Sequence, residues 1–215
     1  MKLRIYNELA SRVLCAAYGL NNDMTRRLVL KVVLFLEGGE FYSSTLRKIF
    51  ARYHGIEIGM YSYGGCFSVD NIPPGTRIGR YCSFARNISI LAGNHPLELR
   101  STHPFFYNSQ LGYVQTTTIP RTKLAIGNDV WIGYNAVILP SVSLIADGAV
   151  IGAGSIVVDI VPPFAVVAGN PARPVRYRFR KETADRIIES QWWNKSIEEL
   201  AGAPSEFATF LKPEE

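Results

Sequence analysis

Three histidines, His54, His95 and His103, are the side chains in this sequence suited to exchanging a proton near neutral pH. An alcohol needs such a base before it can attack an activated acyl group, because the free hydroxyl is a poor nucleophile. His95 is set apart by its position. It follows Gly93 and Asn94 where a regular stretch ends and an irregular one begins, so its ring can face a cleft rather than a filled interior. Its second ring nitrogen then requires an orienting acceptor, for which Glu98 or a backbone carbonyl would serve. His103 can meet a substrate or pack with Phe105 and Phe106, and packing is the preferred reading. His54 precedes the regular stretch and reads as structural. Cys15, Cys66 and Cys82 show neither metal-ligand spacing nor an even disulfide set, which fits a reducing compartment. Cys82 sits four places after Ile78 in a small inward slot, so it reads as a packed thiol rather than an acyl carrier.

The elements that must position these groups announce themselves by period. Apolar residues at Ile126, Ile132, Ile138, Leu144, Val150 and Ile156 recur every six positions. Val130, Ala136, Val142, Gly148 and Gly154 stand four places after most of them, and Ile72, Ile78, Phe84 and Ile90 repeat the spacing upstream. Such a period is neither helix nor hairpin. It predicts a β-solenoid in which each repeat makes one short strand and one turn, with its leading apolar residue pointing inward. Between Pro96 and Lys123 the period lapses, and an excursion over about 96–122 inside a compact repeat is expected to be functional.

The flanks read differently. Residues 1–53 look helical: Ser43 or Ser44 can cap a helix carrying Leu46, Ile49, Phe50 and Tyr53 on one face, with Gly55 past its end. Leu28–Leu36 is apolar nearly all round and is expected to be buried. After Pro171 the repeat stops, and a C-terminal helix is expected with Ala184, Ile187, Ile188 and Trp192 on one face, followed by a frayed end from Pro204 to Glu215. The chain thus divides into a helical segment 1–53, a solenoid 54–178 with loop 96–122, and a helix and tail 179–215.

At 215 residues, with 47% apolar side chains, the chain can bury one sizeable core and reads as soluble and globular. The net charge of +5 is unevenly placed: residues 1–53 hold nine Lys/Arg against four Asp/Glu. That segment could meet anionic lipid as a peripheral contact, although a solvated face is the simpler reading. Met1-Lys2-Leu3-Arg4 starts like a signal peptide, but Val13–Leu20 is short and lacks a cleavage signature, so a cytoplasmic location is expected. No motif supports nucleic-acid binding.

Ile126-Gly-Asn-Asp-Val-Trp-Ile-Gly133, Val150-Ile-Gly-Ala-Gly-Ser155 and Ala168-Gly-Asn-Pro-Ala-Arg173 resemble the hexapeptide-repeat acyltransferases. Ile78-Gly-Arg-Tyr-Cys-Ser83 with Gly93-Asn94-His95 and Ser101-Thr102-His103-Pro104-Phe105, and Arg178-Phe179 with Gln191-Trp192-Trp193-Asn194, narrow the likeness to the xenobiotic branch, the type B chloramphenicol and streptogramin acetyltransferases. The resemblance covers about residues 56–197. It implies a mainly β fold, a left-handed parallel β-helix, in a homotrimer with active sites between subunits, acetyl-CoA as co-substrate and no metal. It places the catalytic histidine at His95 and acetyl-CoA contacts at Gly133, Ala153, Asn170 and Arg173. Gly133 and the Gly152–Gly154 stretch would let a thin pantetheine arm approach, and Arg173, Arg176 and Arg178 would face its phosphates. Asp159 stands where relatives often carry lysine. His103 replaces a common aromatic, and segment 1–53 is longer than antibiotic-modifying members need, so a saccharide hydroxyl is the preferred acceptor and an antibiotic the alternative. A γ-class carbonic anhydrase shares the solenoid, but the separations of the three histidines do not suit its zinc site. A non-catalytic scaffold is the remote alternative.

Overall fold

The computed structural model describes residues 6–20, 22–202 and 204–208. Residues 1–4 of the basic start and residues 209–215 of the tail lie outside those residues, whereas Pro204–Ala208, expected to be frayed, forms a short helix. The chain between Ile56 and Gly169 winds into stacked coils. The first holds β1 (Glu57–Ile58) and β2 (Tyr63–Gly64), the second β3 (Arg77–Ile78), β4 (Ser83–Phe84) and β5 (Ser89–Ile90). The third holds β6 (Ala125–Ile126), β7 (Trp131–Ile132) and β8 (Val137–Ile138). The fourth holds β9 (Leu144–Ile145), β10 (Val150–Ile151) and β11 (Ile156–Val157). The last turn brings β12 (Ala165–Gly169) onto the stack, and β13 (Ala172–Tyr177) folds back against it.

Three sheets result, with the orders β1-β3-β6-β9, β13-β12-β10-β7-β4-β2 and β11-β8-β5. Every pairing between strands is parallel except β12 with β13. The strands are only two residues long because corners interrupt them, and several corners use the left-handed backbone at Asn87, Asp129 and Asn135, where a short polar side chain tolerates it. Inside, identical positions stack: Ile58, Ile78, Ile126 and Ile145 line one wall, Phe84, Ile132 and Ile151 the second, Ile90, Ile138 and Val157 the third. All are buried.

The strict six-residue phase does not hold. The turn between Ile138 and Ile145 contains one extra residue, around Pro140, so Ile145, Ile151 and Val157 point inward. Leu144, Val150 and Ile156, expected inside, lie on the outward face, and Leu144 is 39% exposed. In a strand whose side chains alternate, a slip of one residue exchanges the two faces.

Three helices precede the coils: α1 (Glu8–Tyr18), α2 (Asp23–Leu36) and α3 (Ser44–Ile49). Asn7, Asn22 and Ser43 cap them, each side chain accepting a backbone N–H of the first turn. After α3 the chain continues through a π-helical turn at Phe50–His54 and ends at Gly55, whose φ of 65° suits glycine. Cys15, Tyr18, Val29, Val33, Leu46, Ile49 and Phe50 join the same apolar core as the coils. Leu28–Leu36, expected to be buried against another element, is so on one face only: Val29 and Val33 are buried, whereas Leu28 is 62% and Phe35 77% exposed. One face of α2 packs on the molecule and the opposite face does not.

Arg47 ties this helical cap to the first coil. Its Nε donates to the Gly59 carbonyl at 2.9 Å, Nη2 to Ser62 at 2.9 Å, and Nη1 to Glu40 at 2.7 Å and Ser43 at 2.8 Å. Burial pushes the guanidinium down to about 10, which still leaves it charged at neutral pH. At the other end α4 (Lys181–Ser190) is followed by a 3-10 turn at Trp192–Asn194, with Trp192 packed on Tyr81 at 5.0 Å between ring centres. Among the described residues no helix is long and apolar enough to cross a membrane.

Candidate active site

The loop that carries His95 leaves the stack after β5 and returns before β6. Leu91 N–H still bonds to Ile138, and Thr122 N–H bonds to the Ala92 carbonyl at 2.9 Å, closing the base. The Thr122 hydroxyl also donates to the Pro140 carbonyl at 2.5 Å. The excursion is built rather than structureless. It holds 3-10 turns at Pro104–Phe106 and Ser109–Leu111, capped by the side chains of His103 and Asn108. Tyr107, between the two turns, is buried and anchors them.

His95 is exposed on the outside of the coils, not sealed within them. Its Nδ1 lies 2.7 Å from the Thr102 carbonyl oxygen and 2.7 Å from the Tyr107 hydroxyl, with the tyrosine ring edge-on to the imidazole. A carbonyl can only accept, so the Thr102 contact requires a proton on Nδ1, and in the neutral ring Nε2 then carries the lone pair. The Tyr107 oxygen can then share the same proton as a second acceptor. Of the two orienting acceptors open in the sequence, the backbone carbonyl is the one in place. Neither Thr102 nor Tyr107 was identifiable as a partner from residue type alone. A carbonyl leaves no mark in a sequence, and the only hint of Tyr107 was an aromatic in an otherwise irregular run.

The other histidines are occupied elsewhere. His54 Nε2 meets the Tyr18 hydroxyl at 2.7 Å, and burial shifts the ring below its usual range. His103 Nδ1 accepts the Phe105 N–H at 3.3 Å and its ring packs on Phe105. Among the described residues no three His, Cys, Asp or Glu side chains converge as a metal site. Cys82 is fully buried, with its Sγ 3.1 Å from the Gly127 carbonyl. Burial pushes its thiol up to about 12, so it stays protonated and unreactive.

Gly133, Ala153 and Asn170 follow β7, β10 and β12 at one corner of the stack, and Arg173 stands on β13, which folds back beside it. A Cβ on Gly133 would stand 2.6 Å from the Ala153 N of the next coil, so the coil above, and not a ligand, demands glycine there. Gly154, with φ of 68°, faces open space: a Cβ there would meet nothing within 4 Å. Ala153 is exposed beside it. Ala168 pairs with Arg173 across the β12–β13 hairpin, whose exposed tip is Asn170-Pro171, joined by a cis peptide bond. Arg173 and Arg176 are exposed. Arg178 is not available for phosphates: its Nη1 donates to Asp129 Oδ2 at 2.9 Å and to the Gly148 carbonyl at 2.8 Å, and the guanidinium lies over the Phe164 and Phe179 rings. Asp129 is raised by burial and drawn back by that same arginine.

Within one chain, His95 and this corner lie at opposite ends of the β5-β8-β11 sheet. Gly133 precedes β8, while the loop base closes against Pro140, just past it.

No family model matches the chain. Over 132 residues it is 39% identical to a chloramphenicol acetyltransferase of Agrobacterium fabrum, a match covering 59% of this chain and 63% of that protein. Over 129 residues it is 37% identical to a probable macrolide acetyltransferase of Lysinibacillus sphaericus, covering 57% of this chain and 71% of that one. The chain thus spans less than two thirds of the chloramphenicol acetyltransferase it matches. Among solved structures, a maltose O-acetyltransferase from Clostridium difficile 630 aligns at 22% identity and a TM-score of 0.44, covering 79% of this chain and 83% of that one. The stretch shared with the curated relatives is long enough, and similar enough, that the chain belongs to the xenobiotic acetyltransferase branch of the hexapeptide-repeat acyltransferases.

Proposed function

We propose that this protein transfers an acetyl group from acetyl-CoA directly to a hydroxyl, with His95 as general base. The observation that carries the proposal is the held imidazole: Nδ1 lies 2.7 Å from the Thr102 carbonyl, which leaves Nε2 of the neutral ring as the proton-accepting atom on an exposed side chain. Nε2 takes the acceptor's proton as its oxygen attacks the thioester carbonyl. The tetrahedral intermediate collapses, the C–S bond breaks, and the same imidazole returns the proton to the departing thiolate. Backbone N–H groups at the coil corners would steady the oxyanion. Acetyl-CoA would lie along the corner of Gly133, Ala153, Asn170 and Arg173, with Arg173 and Arg176 toward its phosphates.

As the family resemblance implies, the working site would combine the imidazole of one copy with the corner of the next, in a homotrimer of left-handed coils; in one chain the β5-β8-β11 sheet stands between that corner and the base of the His95 loop. The division into 1–53, 54–178 and 179–215 and a cytoplasmic location belong to the same reading. For the acceptor we favour a saccharide. The exposed rings of Phe105, Phe106 and Tyr113 on the loop suit stacking against sugar faces. A second reading, an antibiotic hydroxyl, is favoured by the relatives named for chloramphenicol and macrolides. Release of free CoA thiol from acetyl-CoA, measured over a panel of saccharides, chloramphenicol and macrolides, separates the two. If His95→Asn turned over the best acceptor as fast as the parent, the base would be misassigned.

A further inference from the structure

Helices α1 and α2 each carry two apolar stripes, and only one of them is covered. On α1 the buried Ser11, Cys15 and Tyr18 face the core, while Leu9, Val13, Ala16 and Leu20 run along the opposite side. On α2 Val29 and Val33 are buried, and Met24, Leu28 and Phe35 stand opposite them. Leu9, Val13, Leu20, Met24, Leu28 and Phe35 are each 59–79% exposed. Both helices pack on α3 with their inner stripes and on each other, so the outer stripes of two adjacent helices both face away from the core. Six large apolar side chains exposed on two adjacent helices are more than a soluble surface ordinarily leaves uncovered.

The charges around the patch decide what covers it. Lys31 lies within the α2 stripe, one turn from Leu28 and from Phe35, and Arg27 borders it; both are exposed, and neither has an ion pair among the described residues. Over residues 1–36 the sequence holds six Lys/Arg against two Asp/Glu. A second copy on this face would bring like charges together as water is expelled. An anionic bilayer surface does the reverse: acyl chains take the apolar side chains, and headgroup phosphates meet ammonium and guanidinium groups at the same level. Lys31 can place its stem along the apolar stripe and its nitrogen among the headgroups.

We infer that the α1–α2 hairpin is an interfacial anchor that lays this protein on an anionic lipid surface without crossing it. The anchor is independent of the chemistry at His95. Its test is co-sedimentation of the full chain with vesicles of phosphatidylcholine alone or with phosphatidylglycerol, alongside Arg27→Gln/Lys31→Gln and Leu28→Glu/Phe35→Glu variants. These side chains are exposed, so folding is expected to persist, and unchanged thermal melting verifies it. The parent is expected to pellet with phosphatidylglycerol vesicles and to be released by salt. Loss of two cations is expected to weaken partition roughly 25-fold, and the two glutamates at least about tenfold. Overturning results are an absence of binding to either vesicle, binding indifferent to both double variants, or a change of oligomeric mass in Leu28→Glu/Phe35→Glu, which would show that a second copy covers the patch.

Discussion

If the imidazole and the acetyl-CoA corner come from neighbouring copies, two inactive variants must rescue each other. His95→Ala removes the base and is expected to lower kcat/KM by about 10²–10⁴. Ala153→Trp places a bulky ring beside the open space at Gly154; Ala153 is exposed, so the coil can carry the ring outside. Each alone is inactive. Co-expressed in equal amounts and mixed at random in a closed ring, each site draws its imidazole from one copy and its corner from the next. A site then has one chance in two of each intact half, so about a quarter of parental activity returns. If a single chain serves itself across the β5-β8-β11 sheet, every chain is defective and the mixture stays at the level of its parents. The assay is thiol release from acetyl-CoA by co-purified, differently tagged chains, with oligomer distribution verified by mass. Recovery below about one part in a hundred, set against the quarter expected for shared sites, would refute the inter-copy arrangement while leaving His95 as base untouched.

Three further outcomes follow from the geometry. Tyr107→Phe leaves the Thr102 carbonyl on Nδ1, so steady-state kinetics are expected to show a loss of about tenfold or less, against about 10²-fold or more for His95→Asn. Gly148→Ala would put a Cβ 2.3 Å from the Phe164 ring at a φ of 68°, and thermal melting is expected to fall by roughly 5–10 °C. His54 has a folded-state value below its unfolded 6.5, so the unfolded chain binds more protons and the stability it contributes, present above that value, is lost as pH falls. His54→Phe is expected to flatten the decline of melting temperature between about pH 7 and 5 that the parent shows.

The coils were legible because their period is long and the walls are built of branched side chains. Their phase was legible only as far as Ile138. Beyond it the strands read Leu144-Ile145, Val150-Ile151 and Ile156-Val157, apolar at both positions, so spacing alone could not say which member points inward. The extra residue near Pro140 decided it. Leu28–Leu36 misled for a related reason: an all-apolar helix is buried when something surrounds it, and here only the Val29–Val33 side meets the core. His95 was singled out by its place at the edge of the repeat and by the family resemblance. Arg178 was drawn to the phosphate cluster by its neighbours in sequence, but its actual partners, Asp129 and Gly148, lie on other coils.

A stack of parallel strands has a first and a last rung, and either could recruit another molecule's backbone. The helical cap forecloses the first. Arg47 occupies the carbonyls of Gly59 and Ser62, the Glu40 carboxylate takes the Gly64 N–H, and the Phe41 carbonyl takes that of Tyr61. Side chains and loop backbone thereby stand in for a missing coil. A shortened chain beginning near Ile56 would bare those groups, turning a finite column into a template for end-to-end fibre growth.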